Sequence, residues 1–241
     1  MASRFRAIAL SRRHHWPTPP KGAFSYAAAE QTDDVIAFLA ALEAGPVHLV
    51  GHSHGGYIAA RIACLRRDLL RSMTLMEPGG PVEGHAQGRS RVADRKHGAD
   101  LMRRGRAAEG VARFLDAVCL EPRWEDGMEE YRAMTLTNAK TITEQVRESR
   151  PRLAAQGLQK ISRPVLLMIG ARSISSFPET PDRLQELVPH AERAAVPDAS
   201  RMINVDNKAD FLTIPEGFLI DRLSIMAVEV SGEGAAVLAG P

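Results

Sequence analysis

Gly51-His52-Ser53-His54-Gly55, with Gly56 directly behind it, sets a serine between glycines two positions away on either side. The run before it, Pro46 to Val50, is short and apolar, and the stretch after it carries Ile58, Ile62 and Leu65 at helical steps. The pattern therefore lies where a strand turns into a helix. That is the setting a nucleophilic serine needs, because a sharp strand-to-helix turn strains the serine backbone and small neighbours let the helix approach closely. The hydroxyl of Ser53 then projects from the carboxyl end of the strand. The backbone N–H of His54, at a helix start, can bind a developing oxyanion. The implied chemistry is acyl transfer, with Ser53 as nucleophile and the His54 N–H as one oxyanion donor.

The elements that must position this turn read as alternating strands and helices, the pattern of a mostly parallel sheet with helices on both faces. Phe5 to Leu10 reads as a first buried strand, and Thr32 to Ala44 as a helix with Val35, Phe38, Leu39 and Leu42 on one stripe and Gly45 past its end. Ser72 to Met76 is a further strand, broken off by Pro78-Gly79-Gly80-Pro81. From there to Pro151 the alternation lapses into Arg- and Glu-rich helical periodicity, clearest at Val111, Phe114, Leu115 and Val118. The alternation resumes with Pro164 to Ile169, a helix introduced by Thr180-Pro181, and a weaker strand at Arg193 to Val196. Pro215 and Gly217 are expected to interrupt a final helix, and Ser231 to Pro241 to fray. The organisation expected is a core of 1–80 and 152–241 with a helical cap inserted at 81–151.

Composition sets the outer limits. The chain has 241 residues, 44% of them hydrophobic and 25% charged, ordinary for a globular protein and incompatible with a wholly disordered one. A net charge of +2 does not favour a nucleic-acid or membrane-surface binder, and no apolar run approaches the roughly 20 residues that cross a bilayer. The two cysteines, Cys64 and Cys119, sit in apolar helical patterns, which suits a reducing, cytoplasmic compartment. The first fifteen residues hold four arginines and no acid, but the apolar run among them reads as a strand in preference to a transit peptide. There is no P-loop, GxGxxG or metal-ligand spacing, so no cofactor or metal is expected. Arg89, Arg91, Arg95, Arg103, Arg104 and Arg106, interspersed with acids, read as a solvated helical face before a lure for acidic substrates.

With these segments in place, the chain resembles the α/β-hydrolase superfamily from Phe5 to about Leu219. Gly45 to Ser53, Leu75-Met76-Glu77-Pro78 and Pro164 to Gly170 look like its fifth, sixth and seventh strands, and Arg12-Arg13-His14-His15-Trp16-Pro17 like the loop after its fourth. The resemblance implies hydrolysis by a serine, a histidine and an acid, under a cap that shapes the acyl pocket. Against that pattern, three departures stand out. The strands that relatives place first, with the His-Gly loop that donates a second oxyanion N–H, have no counterpart here, which reads as an N-terminal truncation or a late start. Pro197-Asp198-Ala199-Ser200-Arg201-Met202 carries Arg201 where relatives carry the catalytic histidine. A guanidinium only donates and stays protonated, so Arg201 cannot take the serine proton. Finally, Gly170-Ala171-Arg172-Ser173 lacks the usual aspartate, which leaves Glu77 as the orienting acid, expected to pair bidentately with Arg201. His14 and His15 are the best substitutes for the base. His52 and His54 are expected to point away from the hydroxyl, His190 to sit at the far edge of the sheet, and His85 and His97 in the lobe.

The function expected is a carboxylic-ester hydrolase acting on a small acyl substrate and impaired by Arg201 and the missing oxyanion loop. The alternative is a non-catalytic relative binding a small apolar ligand or a protein partner. A small-molecule substrate, no nucleic acid, no membrane and a possible homodimer complete the expectation.

Overall fold

The computed structural model describes residues 5–84, 92–119, 124, 125, 127–173 and 179–234, with backbone alone at 179 and 222–234. In chain order it contains α1 (Ala28–Ala41), β1 (Val47–His52), α2 (His54–Leu65), β2 (Leu70–Met76), α3 (Val92–Arg103), α4 (Ala107–Cys119), α5 (Glu129–Thr137), α6 (Ala139–Arg147), α7 (Ala155–Gln159), β3 (Val165–Gly170), α8 (Glu179–Leu187), β4 (Glu192–Val196), α9 (Ile203–Asp206) and α10 (Lys208–Gly234). The strands form one parallel sheet in the order β1-β2-β3-β4. Parallel neighbours need crossovers, and helices supply each of them, as the alternation predicts.

Side chains along β2 and β3 alternate between two cores, as the two-residue period of a strand requires. Met73 and Leu75 of β2 and Val165 and Leu167 of β3 face one way, against Val35 and Leu39 of α1, Ile58 and Ile62 of α2, and Leu184 and Leu187 of α8. Met76, Leu166 and Met168 face the other way, against Val196, Ile203, Phe218 and Leu219. Being covered on both faces is why these strands read as continuous apolar runs. Each such side chain contributes about 1.5–3 kcal/mol by leaving water.

Between β2 and α7 the four helices α3 to α6 form a separate cluster around Met102, Val111, Leu115 and Ala139. Helices α3 and α4 cross at two glycines: a Cβ on Gly98 would meet the Gly110 oxygen at 2.7 Å, and one on Gly110 would meet the Gly98 oxygen at 2.5 Å. The chain enters and leaves this lobe side by side. Val82 bridges Leu153, Glu83 N donates to Leu153 O at 2.9 Å, and Leu153 N donates to Pro81 O at 2.8 Å.

Several expectations are corrected. Phe5 to Leu10 is not a strand: the segment forms no ladder, and Ile8 and Leu10 are exposed. An apolar run suits a buried strand, but without a neighbouring strand to accept its backbone groups the ladder cannot form. Only Phe5 approaches the sheet, its ring edge-on to His48 of β1 at 6.1 Å. Helix α1 starts a turn earlier than Thr32 and ends at Ala41, leaving Gly45 at φ +69° to feed β1. Helix α10 continues through Pro215 and on to Gly234, so the proline removes one backbone bond without ending the helix. The final residues, 235–241, lie outside the described part. No helix among the described residues is long and apolar enough to cross a membrane.

Candidate active site

Ser53 links β1 to α2 with φ 53° and ψ −115°, a conformation that costs of order 1–3 kcal/mol for a residue with a Cβ. The surroundings hold it there. Ser53 N donates to Met76 O at 2.9 Å, and Ser53 O accepts from Tyr57 N at 3.2 Å and Gly79 N at 3.1 Å. The turn closes tightly enough that a Cβ on Gly51 would lie 2.5 Å from the Gly55 oxygen. As the residue before α2, Ser53 would ordinarily cap the helix with its side chain, but it makes no such bond. Its hydroxyl faces outward instead, while His54 opens the helix with a backbone N–H that has no intrahelical acceptor.

Arg201 Nη2 donates to Ser53 Oγ at 2.7 Å, and no other hydrogen bond is made to this oxygen among the described residues. Glu77, directly after β2 with φ 45°, is 1% exposed. Its Oε1 accepts from Gly170 N at 2.7 Å, and its Oε2 lies 3.8 Å from Arg201 Nη1. The expected bidentate pair is thereby corrected to a single longer approach, because the Gly170 amide takes one carboxylate oxygen and the serine takes one guanidinium nitrogen. Burial pushes the Glu77 carboxyl up, opposed by the Gly170 N–H and the Arg201 charge. Burial also presses Arg201 down, opposed by Glu77.

None of the described histidines forms a hydrogen bond with Ser53 Oγ. His52 Nε2 donates to the Arg201 carbonyl at 2.8 Å, so this residue holds the backbone of its neighbour across the turn. Burial, then the charge of Arg201, bring its pKa to about 4. His54 Nδ1 accepts from Arg12 Nη1 at 2.8 Å, which places its proton on Nε2, 3.5 Å from Glu148 Oε2. Burial lowers its pKa to about 4 against the pull of Glu148. His15 donates from Nδ1 to Arg13 O at 2.9 Å and lies beside Arg12; burial and that charge bring it to about 4 as well. His14 belongs elsewhere, its ring against Phe24 at 4.6 Å and its carbonyl accepting from Thr141 Oγ1 at 2.6 Å. His190 donates to Arg163 O at 3.1 Å. His97 lies in α3, and His85 outside the described residues.

A cavity of about 920 Å³ opens over Ser53, bounded below by the sheet edge and above by α3 to α6. Arg12, half-buried and bonded to Gln31, Tyr26 and His54, and Glu148, which accepts from Ala28 N at 2.5 Å and Arg150 Nε at 3.2 Å, are part of its wall. So is Arg95 of α3. Sequence patterning did not single out Arg12, Glu148 or Arg150, and it assigned Arg95 to a solvated face. Only the docking of the lobe on the sheet brings these residues over the serine.

Residues 1–213 match the alpha/beta hydrolase family, and the chain belongs to it. Among characterised proteins it is similar to the sn-1-specific diacylglycerol lipase ABHD11 of Mus musculus, 24% identical over 236 residues that make up 89% of this chain and 71% of the relative. Its fold matches that of MenH from S. aureus, with a TM-score of 0.70 at 17% identity over 87% of this chain and 81% of the other. It also matches a thermophilic esterase from Thermogutta terrifontis, with a TM-score of 0.68 at 20% identity over 88% and 78%.

Proposed function

We propose that this chain is a serine hydrolase of carboxylic esters or similar small acyl substrates whose turnover is depressed by Arg201. In this reading residues 1–80 and 152–241 are the catalytic core and 81–151 the cap over its pocket. The single observation that carries it is the strained, uncapped Ser53 at the mouth of the cavity, with the His54 N–H at the start of α2. Ser53 Oγ attacks the acyl carbon while the carbonyl oxygen draws on the His54 N–H. The ester C–O bond breaks and the alcohol leaves with a proton from water, and a second water hydrolyses the acyl-serine to the acid and the free hydroxyl. Glu77 holds Arg201 in place. Arg201 steadies negative charge on the serine oxygen but cannot accept its proton, so deprotonation falls to water or hydroxide. Lack of a general base lowers the rate by roughly 10²- to 10⁴-fold. The mouse relative's lipase name supports the ester class. Cys64 and Cys119, which are not joined in a disulfide, suit a reducing, cytoplasmic setting, and the outer edge of β1, which pairs with no strand among the described residues, is where a second copy would add to the sheet.

The test is fluorophosphonate labelling together with ester turnover. Ser53 is expected to label and Ser53→Ala not to, with kcat far below the ~10 s⁻¹ typical of enzymes. Turnover within about tenfold of that value would remove Arg201 from its assigned role. A second reading, binding without turnover, is favoured by the 2.7 Å bond from Arg201 to Ser53 Oγ. It predicts no labelling and thermal stabilisation by ligand.

A further inference from the structure

The wall of the cavity is strongly cationic. Arg12, Arg95, Lys96, Arg150, Arg152 and Arg201 all line it, and Glu148 is the sole carboxylate among its described lining residues. That carboxylate is already engaged by Arg150 Nε at 3.2 Å and by the Ala28 amide. Glu77 sits behind Arg201 and does not line the space. Arg95 forms no ion pair with a carboxylate among the described residues; the charges it feels are those of Arg201 and Arg150, which together with burial press its pKa down. Like charges gathered out of bulk water raise one another's free energy, and an anion placed among them relieves that. The helices of the lobe add apolar lining beside these charges: Phe114 and Val118 of α4, Met134 of α5, and Ile142 and Val146 of α6.

We propose that the cavity binds an amphipathic organic acid, its carboxylate held by Arg95, Arg150 and Arg201 beside Ser53, and its hydrocarbon chain lying along Phe114, Val118, Met134 and Ile142. The proposal rests on the cavity over Ser53 being the ligand site, but not on Ser53 being reactive. A guanidinium at the position of a base makes the site a better receptor for an acid than for a neutral ester, because planar forks of N–H donors match a carboxylate. An alkyl tail is what the apolar half of the wall accepts.

Calorimetric titration of the full chain with octanoate, methyl octanoate and acetate tests this. Octanoate is expected to bind at least about tenfold more tightly than methyl octanoate, the effect of a few hydrogen bonds to a charged group, and more tightly than acetate. The preference for acid over ester should shrink about fivefold or more in Arg95→Gln and be largely kept in Arg95→Lys, with unchanged melting temperatures confirming that both variants fold. Should Arg95→Gln fail to fold, the comparison of ligands on the wild-type chain and on Arg95→Lys decides alone. Equal binding of acid and ester, equal binding of octanoate and acetate, or an acid preference untouched by Arg95→Gln overturns the proposal. Loss of Ser53 labelling with the acid preference intact overturns the hydrolase reading and leaves this one standing, while labelling without acid preference does the reverse.

Discussion

Arg201 Nη2 and Ser53 Oγ stand 2.7 Å apart, with the guanidinium donating and the hydroxyl accepting. A histidine at this position would accept the serine's proton; the arginine reverses the direction of that hydrogen bond. The pH dependence of any ester hydrolysis should follow from this. With no histidine titrating at the serine, the logarithm of kcat/KM rises steadily from pH 6 to 9 instead of levelling off above an inflection near 6.5. Steady-state rates on a p-nitrophenyl ester across that range provide the measurement, and a plateau beginning near neutrality would point to a working imidazole.

Arg201→His should raise kcat by roughly 10²-fold, the low end of what a general base supplies. The imidazole would lie between Glu77 and Ser53 in the space the guanidinium now fills. Burst and steady-state kinetics of the variant beside the parent chain measure the gain, and a variant no faster than the parent would mean that residue 201 does not limit the reaction.

Glu77→Gln leaves an acceptor for the Gly170 amide but removes the charge facing Arg201. Breaking a buried ion pair from one side costs about 3–5 kcal/mol in well-formed cases. The 3.8 Å separation here puts the expectation at the lower end. For a chain of this size each kcal/mol lowers Tm by roughly 2–4 °C, so calorimetry should register a clear fall.

How much of this was legible from residue order depends on how local each feature is. The turn at Ser53 is written in six consecutive residues, and β2 and β3 are buried on both faces, so their apolar runs stand out. The link from Glu77 to Arg201 is legible only through the family resemblance, which implies a bidentate pair where the structure has an approach of 3.8 Å. Arg95 was misread because a helical stripe of arginines has the same pattern whether it faces water or a cavity, and only the seating of α3 decides between them. Phe5 to Leu10 was misread for the opposite reason: an apolar run describes a buried strand's side chains but does not supply a partner for its backbone.

Gly51→Ala should be among the most damaging single changes, since the added Cβ would fall 2.5 Å from the Gly55 oxygen and 2.8 Å from Gly56 N, all backbone that cannot step aside. A loss of more than about 3 kcal/mol is expected. Urea unfolding compared with Gly55→Ala, where an added Cβ meets nothing within 4 Å, checks this; equal midpoints would mean that the turn is looser than described.

Acid should destabilise the fold before most carboxylates titrate. His15, His52 and His54 have folded pKa values near 4 against about 6.5 when unfolded. Between those values the unfolded chain binds more protons, so the stability these neutral rings contribute is fully present above pH 6.5 and is lost as pH falls towards 4. Thermal midpoints should drop progressively over that window. His54→Gln, which removes one of the three groups, should flatten the slope.

The clasp between Val82 and Leu153 ties the two chain crossings of the lobe to each other, and bonds from Thr141 Oγ1 to His14 O and from Ala28 N to Glu148 fasten α6 and its end to the segment before β1. Because Gly98 and Gly110 interlock α3 with α4 backbone against backbone, this pair has little freedom to shear. Any adjustment that admits a large guest therefore works against several fastenings at once, and the clasp is one of them, its neighbours Pro81 and Arg152 bordering the same space as Ser53.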